Sequence, residues 1–575
     1  MKIEYIGIKG FRNFKKAKFN FNKHTAIMGF NDIGKTNLMY ALRLLLDKTL
    51  PESNLELSES DFFAFDDIDK INITIKFSEV VEDFVIAKLK EKISDNNKLY
   101  LRYKATKNNP DYKLYIGSSI SKLEEIDSRY YLRAFNLKYV TSTRNLSSFI
   151  NKEKKYLLEQ AKESRTDDEK DSDTTVVDGL ETTLSGLNTS VREISYVQNA
   201  TNQINEELDK LSYKNSSQQL AFNVAGDDIG SLLNKVDLSM STNDKLLTIG
   251  GDGKLNQIFL ALWTNKHNTA TDLNEVSFYC IEEPEAHLHP HQQRKLSEYL
   301  SSTLDNQVII TTHSPHIISE FDPKSIIKLY QEDEASYAAN DGCSESLGDV
   351  FLDFAHRLDV ISTEAFYSSL VFLVEGQSEI LFYKTLAKAI GIDLDRLNIS
   401  ILMVDGVGFK SYITILEHLD IPWIMRTDND IFKIPRKEQH RYAGIQRGID
   451  IFQTFIDEEL TVEEEECYDN IKNFDYPASL KVKESANNLI ELLEENNIFL
   501  SKIDLETDLV KSPIKDKLAE FYGTDDNDEI LKLMQSRKGE NMFQFLHEYQ
   551  DDLVVLENEP ISEPLKRAKE LIENL

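Results

Sequence analysis

The sequence predicts an α/β chain in two parts, each built on a sheet whose strand ends carry the chemistry. Three observations predict it. A phosphate-cradle spacing at residues 29–37 lies between an apolar strand and a helical run, an apolar strand at 276–281 ends in two glutamates, and beyond residue 368 further apolar strands each lead into acids.

The first element is the run IEYIGIKGFRNFKKAKFNFNKHTAIMG, whose alternation reads as short strands. Gly29-Phe-Asn-Asp-Ile-Gly34-Lys35-Thr36 follows with the P-loop spacing. Gly29 and Gly34 let the backbone N–H groups turn toward a phosphate, Lys35 supplies a point charge, and the Thr36 hydroxyl can ligate Mg²⁺. Asn31, Asp32 and Asn37 complete the candidate cofactor-binding loop. LMYALRLLLDK then has helical spacing, which gives the strand, loop and helix order that a P-loop requires.

The 575-residue length allows two to four domains. Cys280, Cys343 and Cys467 are scattered with no CxxC pair, so neither a disulfide framework nor a thiolate zinc site is expected. The start of the chain reads as a strand rather than a leader, and no apolar run approaches a membrane span, so a cytoplasmic protein with no membrane partner is expected. A net charge of −32 argues against nucleic acid only if charge is evenly spread. Residues 1–50 hold ten Lys or Arg against Glu4, Asp32 and Asp47, a local balance of +7. Residues 432–447 carry five bases against Glu438, whereas 457–466 hold seven acids and no base. Such local patches can bind DNA, or can be solvated surface.

The next block is VSFYCIEEPEAHLHPHQQRKL, residues 276–296. Its strand ends in Glu282, placed to hold Mg²⁺, and Glu283, placed to polarise a water at the γ-phosphate of ATP. A second apolar strand, QVIITTHSPHII, delivers His313 at its end. His287, His289 and His291 are read as a turn before a helix rather than a metal site, because no further ligand stands at zinc spacing.

Lys35, Glu282, Glu283, EPEAHLHP and TTHSP together resemble the ABC-type ATPase head of the recombination and repair branch, across roughly 1–55 and 240–330. The resemblance implies a signature loop at Ile249–Asn256, with Gly251 and Gly253 approaching the nucleotide of a partner copy and His313 as the switch histidine. The loop lacks the family's usual serine, which bears on turnover more than on binding. Between these halves, residues 151–240 are polar; 166–179 read as a loop between helices, and a short helical arm is expected rather than a coiled coil.

The C-terminal third opens with SSLVFLVEGQSEILFYKTLAKAIG, a strand, a turn with Glu375 and a helix bearing Glu379. A strand with a glycine turn at 405–408 follows, and then WIMRTDNDIF, which ends a strand in Asp428 and Asp430 on one side of extended backbone. Carboxylates collected from strand ends repel one another unless a divalent cation neutralises them, and an all-oxygen set suits Mg²⁺ or Mn²⁺. The pattern EGxxE, glycine turn, DxD resembles the Toprim fold. An ABC-type head joined to Toprim resembles the OLD (overcoming lysogenization defect) family, and most of all the endonuclease subunits of Gabija-type anti-phage systems; retron-associated or stand-alone OLD nucleases would look similar.

The resemblance implies an α/β fold with an ABC-type ATPase domain at 1–345, carrying a helical insert at about 146–240. A Toprim nuclease domain at 346–575 follows, its core starting near 368 and its helical insert at about 432–495. It implies a nucleotide-regulated, metal-dependent DNA endonuclease with two ions held by Glu375, Glu379, Asp428, Asp430 and the Asp504/Glu506 cluster, a third bound with ATP by Thr36 and Glu282, and Lys538 offsetting transition-state charge. Which of Asp504, Glu506 and Asp508 is a direct ligand stays open. The partners implied are double-stranded DNA, further copies as a homodimer or homotetramer, and a UvrD-like helicase subunit. The rival reading is an ATP-gated DNA clamp with a non-catalytic Toprim-like domain.

Overall fold

The computed structural model describes residues 1–107, 109–141, 158–159, 161–211, 220–222, 240–242, 245–247, 251, 253–256, 258, 275–302, 305–344, 364–404 and 408–574. The chain packs as two units, one of Met1–Thr141, Asn274–Glu285 and Pro290–Leu575, the other of Ser142–Leu273 and Ala286–His289. The boundary expected at 345/346 and residues 405–407 of the glycine turn lie outside the described residues.

In the first unit, strands β1 (Lys2–Phe11), β2 (Phe14–Asn20), β3 (His24–Met28), β4 (Lys70–Ser78), β5 (Leu99–Thr106), β6 (Asn109–Gly117), β7 (Leu123–Ile126) and β8 (Phe135–Val140) come before the insertion. All but β3 and β8 form an antiparallel sheet in the order β2-β1-β4-β5-β6-β7. Its strands alternate: Leu99, Leu101, Tyr103 and Ala105 of β5 are buried, and Tyr100, Arg102 and Lys104 face away. In the second unit, β9 (Met240–Thr242) pairs antiparallel with β10 (Lys245–Leu247).

Back in the first unit, β11 (Val276–Glu282), β12 (Val308–Thr311), β13 (Ile326–Glu332) and β14 (Ala335–Ala338) join β3 and β8 in a second sheet, ordered β14-β13-β3-β12-β11-β8. Its pairings are parallel except for β13 with β14. Every residue of β12 is buried, as expected of a parallel strand covered on both faces. The helix Lys35–Leu46 lies against β8 of this sheet and β5 of the antiparallel one, which explains why its leucines and Met39 are buried round most of its circumference.

The later strands β15 (Leu370–Val374), β16 (Ile399–Met403), β17 (Trp423–Thr427) and β20 (Ile498–Leu500) form a parallel sheet in the order β16-β15-β17-β20. The helix Gln377–Ala389 links β15 to β16, and Phe409–His418 links β16 to β17. Between β17 and β20 the expected helical insert contains Ala443–Phe455, Val462–Lys472 and Leu480–Glu495, but it opens on an unforeseen hairpin, β18 (Ile431–Lys433) with β19 (His440–Tyr442). The acidic run at 457–466 begins the middle helix, where Thr461 and Glu464 form a capping box.

One sequence expectation fails in the second unit. Residues 167–179 are helical rather than a loop, because Thr166 caps a helix spanning Asp167–Arg192. Glu169 accepts the Thr166 N–H at 2.8 Å, Asp167 and Asp168 lie at the favourable end of the helix dipole, and Lys170 bridges to Asp167 at 2.9 Å. Polar composition reads as loop, yet these local pairs suit a solvent-facing helix. A second helix, Ser195–Leu211, follows.

The core under β15 is a stability test. Phe372 is fully buried and meets Tyr383 edge-on at 4.8 Å between ring centres. Phe372→Ala is expected to destabilise the fold by about 3–5 kcal/mol, measured as a lower denaturant midpoint.

Candidate functional site

Two clusters stand at the carboxyl ends of parallel strands in the first unit. At the first, β3 runs into the loop at Gly29 and the helix begins at Lys35. Gly34, with φ +108°, passes so close to Asn13 that a Cβ there would sit 2.2 Å from its amide nitrogen. Asn13 donates to the Ile33 carbonyl at 2.7 Å and accepts from Asn37 at 2.9 Å, and Arg12 donates to Asn37 at 2.7 Å. Asn37 therefore braces the loop from behind, while Asn31, Asp32 and Thr36 are exposed on it.

Lys35 donates to the Gly29 carbonyl at 2.8 Å and to that of Phe30. Burial pulls its pKa down to about 8 against the opposing pull of Glu283, Asp32, Glu285 and Glu282. The P-loop and the β11 acids thus share one site. Glu282 is buried beside Tyr139, and Glu283, at φ 43°, stands 3.7 Å from His313. Burial and the Lys35 charge lower the His313 pKa. Sequence reasoning gave no role to Glu285, which accepts from the Thr312 hydroxyl at 2.7 Å and from the His313 N–H at 2.8 Å and so fixes the loop that presents His313. Of the expected signature loop, Ile249, Gly250 and Asp252 lie outside the described residues. Within the second unit, a Cβ on Gly253 would meet the His287 carbonyl at 2.5 Å, so that position demands glycine.

The second cluster gathers Glu375, Glu379, Asp428, Asp430, Asp504, Glu506 and Lys538. Glu375 follows β15 and accepts the Asp428 N–H at 3.0 Å, the Thr427 hydroxyl and the Arg447 guanidinium. Glu379 accepts the N–H groups of Glu375 at 2.6 Å and Gly376 at 3.0 Å on one oxygen, and Arg426 at 3.1 Å on the other. A carboxylate offers about four lone-pair positions, so Glu379 orients the Glu375 turn and keeps about one free. Asp428 accepts from Ser501 at 3.2 Å. Asp504 caps the helix Leu505–Val510 through Thr507 at 2.8 Å and accepts from Gln535 at 2.7 Å. Buried Glu506 pairs with Lys538 at 3.1 Å, whereas Asp508 turns away to Arg426 at 2.8 Å and the Lys502 N–H at 3.2 Å.

Charge in this cluster is out of balance. Burial, then Glu375 and Glu379, push Asp428 up to about 8. Burial, then Glu375 and Asp504, raise Asp430, and burial raises Glu379 and Asp508 despite Arg426. Burial opposes charge on Lys538 too, yet Glu506, Asp428 and Asp504 hold its pKa above the ordinary lysine value. No three carboxylate, histidine or cysteine groups among the described residues already form a metal cage. The donor set nonetheless fits a hard divalent cation, since it is all oxygen and burial among like charges pushes Asp428 and Asp430 toward their neutral forms, which a bound cation would reverse. Sequence reasoning missed Arg426, Arg447 and Gln535. Arg426 stands beside Asp428 in the sequence, whereas Arg447 comes from the helix Ala443–Phe455, and both pairings depend on how the strands and that helix pack.

Residues 1–318 match the AAA ATPase domain family, and residues 366–430 match the overcoming lysogenization defect protein-like TOPRIM domain. The chain is 26% identical to Endonuclease GajA of Bacillus cereus (strain VD045) over 95% of each chain. It is 23% identical to the OLD nuclease of Thermus scotoductus (strain ATCC 700910 / SA-01) over 76% of this chain and 83% of that one. An SMC head bound to the C-winged helix domain of ScpA overlaps 59% of this chain and 97% of its own, at 16% identity and a TM-score of 0.37. Among the described residues no helix is long and apolar enough to cross a membrane.

The Asp428 shift sets a pH dependence. Its folded pKa, about 8, lies above its unfolded value, so the folded state holds a proton that the unfolded state has lost, and the contribution to stability falls as pH rises toward 8. A cation held by Asp428 would have to displace that proton, so if the cluster binds Mg²⁺ its affinity should rise up to about tenfold per pH unit below 8 and then level off. Calorimetric titration across pH 6–9 reads the slope. In EDTA at pH 8, Asp428→Asn should melt above the unsubstituted protein and gain nothing from added Mg²⁺.

Proposed function

Because this chain belongs to the AAA ATPase domain family and joins that domain to an OLD-family TOPRIM domain, we propose that it is a nucleotide-regulated, divalent-metal-dependent DNA endonuclease of bacterial anti-phage defence, acting in the cytoplasm. The observation that carries the reading is the carboxylate cluster with Lys538 at the ends of β15 and β17. The relatives matched across both halves of the chain are an endonuclease and a nuclease by name. We divide the chain into an ATPase domain at 1–345, with a helical insert at about 146–240, and a nuclease domain at 346–575, with an insert at about 432–495.

In the nuclease domain, Glu375, Asp428, Asp430, Asp504 and Glu506 would hold Mg²⁺ or Mn²⁺, with Glu379 giving its remaining lone pair or only orienting Glu375. When bound, such cations lower the pKa of an attacking water and stabilise a leaving oxygen. Lys538, held protonated by Glu506, Asp428 and Asp504, would donate to a phosphodiester oxygen as charge develops there. Glu379 and Arg426 keep the Glu375 turn in place. In the ATPase domain, Lys35 and the loop N–H groups would hold the ATP phosphates, Thr36 and Glu282 the accompanying Mg²⁺, Glu283 would polarise water and His313 would sense the γ-phosphate. A DNA clamp with an inert Toprim-like domain would have no use for so costly an acid set with its lysine, so we do not favour it.

Glu375→Ala and Lys538→Ala should each reduce Mg²⁺- or Mn²⁺-dependent plasmid nicking below detection and leave ATP affinity unchanged; nicking at the original rate in both would refute the assignment. Lys35→Ala should weaken ATP binding at least tenfold in equilibrium dialysis. An ABC-type site closes only with the signature glycines of a second copy, and the nuclease domain offers a further self-contact, so we propose a homotetramer, or at least a homodimer, that binds a UvrD-like helicase subunit. Solution mass at micromolar concentration, with and without such a helicase, should show both assemblies; a strict monomer would defeat this part.

A further inference from the structure

The antiparallel sheet turns its outer face to a groove of about 1030 Å³, walled on the other side by Tyr330 and Tyr337 of β13 and β14. Strand register lines up side chains across that face. Lys16 of β2 stands opposite Lys9 of β1, Lys9 opposite Asn72 of β4, Asn72 opposite Lys104 of β5, and Lys104 opposite Lys113 of β6. The next row outward holds Lys18, Gly7, Thr74 and Arg102 across β2, β1, β4 and β5. On these four strands the two rows carry five cations and no acid, in a chain whose net charge is −32.

Like charges directly opposite one another destabilise an antiparallel pair. Here Lys16 faces Lys9 and Lys104 faces Lys113. Lys113 is relieved by Glu125 at 2.9 Å and Lys18 by Asp341 at 3.4 Å. Lys9, Lys16 and Lys104 have no carboxylate in ion-pair range among the described residues; Lys104 lies over the Tyr115 ring at 4.8 Å. With strands about 4.8 Å apart, the first row spans roughly 20 Å, a cationic line long enough to follow several phosphates. We propose that this face is a second DNA contact, binding the phosphate backbone of duplex DNA without reading sequence. The proposal rests on the nuclease reading only in naming DNA as the polyanion.

The test is fluorescence anisotropy with labelled duplex DNA in EDTA, comparing the unsubstituted protein with the triple variant Lys9→Ala/Lys16→Ala/Lys104→Ala over about 50–200 mM salt. The triple variant should bind at least tenfold more weakly at the low-salt end, with a log K against log salt slope shallower by roughly 0.9 for each lysine that contacts a phosphate. Its ATP affinity should be unchanged and its melting temperature equal or higher, because repulsion across β1 and β2 is relieved. The charge-keeping triple Lys→Arg variant should retain binding, as should Lys384→Ala/Lys388→Ala, which removes exposed lysines from another groove. If the triple Ala variant keeps the original affinity and slope while the parent protein still binds and nicks DNA, this surface is excluded and the nuclease reading stands. Affinity that depends on the three lysines in a protein that never cuts would sink the nuclease reading and leave the surface in place. Equal losses in the Lys384/Lys388 control would overturn a localised contact, and a parent protein that neither binds nor cuts DNA would overturn both.

Discussion

The C-terminal half is organised around Arg426. Its guanidinium, at 2% exposure on β17, donates to Glu379 on one side and Asp508 on the other. A buried charge of this kind is tolerated only where its partners are fixed and its donors satisfied. Glu379 answers by tying down the backbone of Glu375 and Gly376, so that the Glu375 carboxylate is presented at the end of β15. Asp508 answers by anchoring the helix whose first turn carries Glu506. One arginine thus braces two of the three segments that bring acids to the cluster, and the remaining charge is left facing outward from it. Removing Arg426 would leave Glu379 and Asp508 buried and uncompensated, which is why its role is positional even though it lies beside reactive-looking groups.

The two clusters follow one rule. In both, a buried parallel strand carries its acids at its carboxyl end, as Glu282 and Glu283 at the end of β11 and as Glu375 after β15. They differ in how charge is balanced. At the first, Lys35 is surrounded by acids and still loses affinity for its proton through burial. At the second, acids outnumber the arginines and lysine that pair with them, and Asp428 bears the imbalance. A phosphate bound at the first site would favour the charged form of Lys35, and a divalent cation bound at the second would favour the ionised form of Asp428.

Much of this was legible in the sequence because the signals are local. The P-loop spacing, the strand ending in Glu282 and Glu283, and the step from Glu375 to Glu379 each lie within a short window, where periodicity and turn chemistry decide structure. The parts that were not legible depend on register or on competition between local terms. Asn13 reaches the P-loop only because β1 and β2 turn back beside it. Arg447 meets Glu375 across 72 residues, through a hairpin that the polar stretch after Asp430 did not announce. The helix from Asp167 is hidden by its polar composition, which reads as loop, although Thr166 and Glu169 stand at the capping-box spacing.

The same register argument explains how an acidic chain can keep a basic face. Alternation fixes which residues of β1, β2, β4 and β5 point away from the core, since Ile6, Ile8, Ile73, Ile75, Leu101 and Tyr103 must point inward. With that side settled, the positions opposite one another follow from the hairpin between β1 and β2, where Phe11 pairs with Phe14 and Lys9 therefore meets Lys16. A slip of one residue would bury the lysines and expose the isoleucines, so the hydrophobic core itself holds the like charges in line. The sequence count of ten bases in the first fifty residues registered the charge, but only pairing with β4, β5 and β6, far along the chain, turns it into a surface. Packing on one face of the sheet sets the electrostatics of the other.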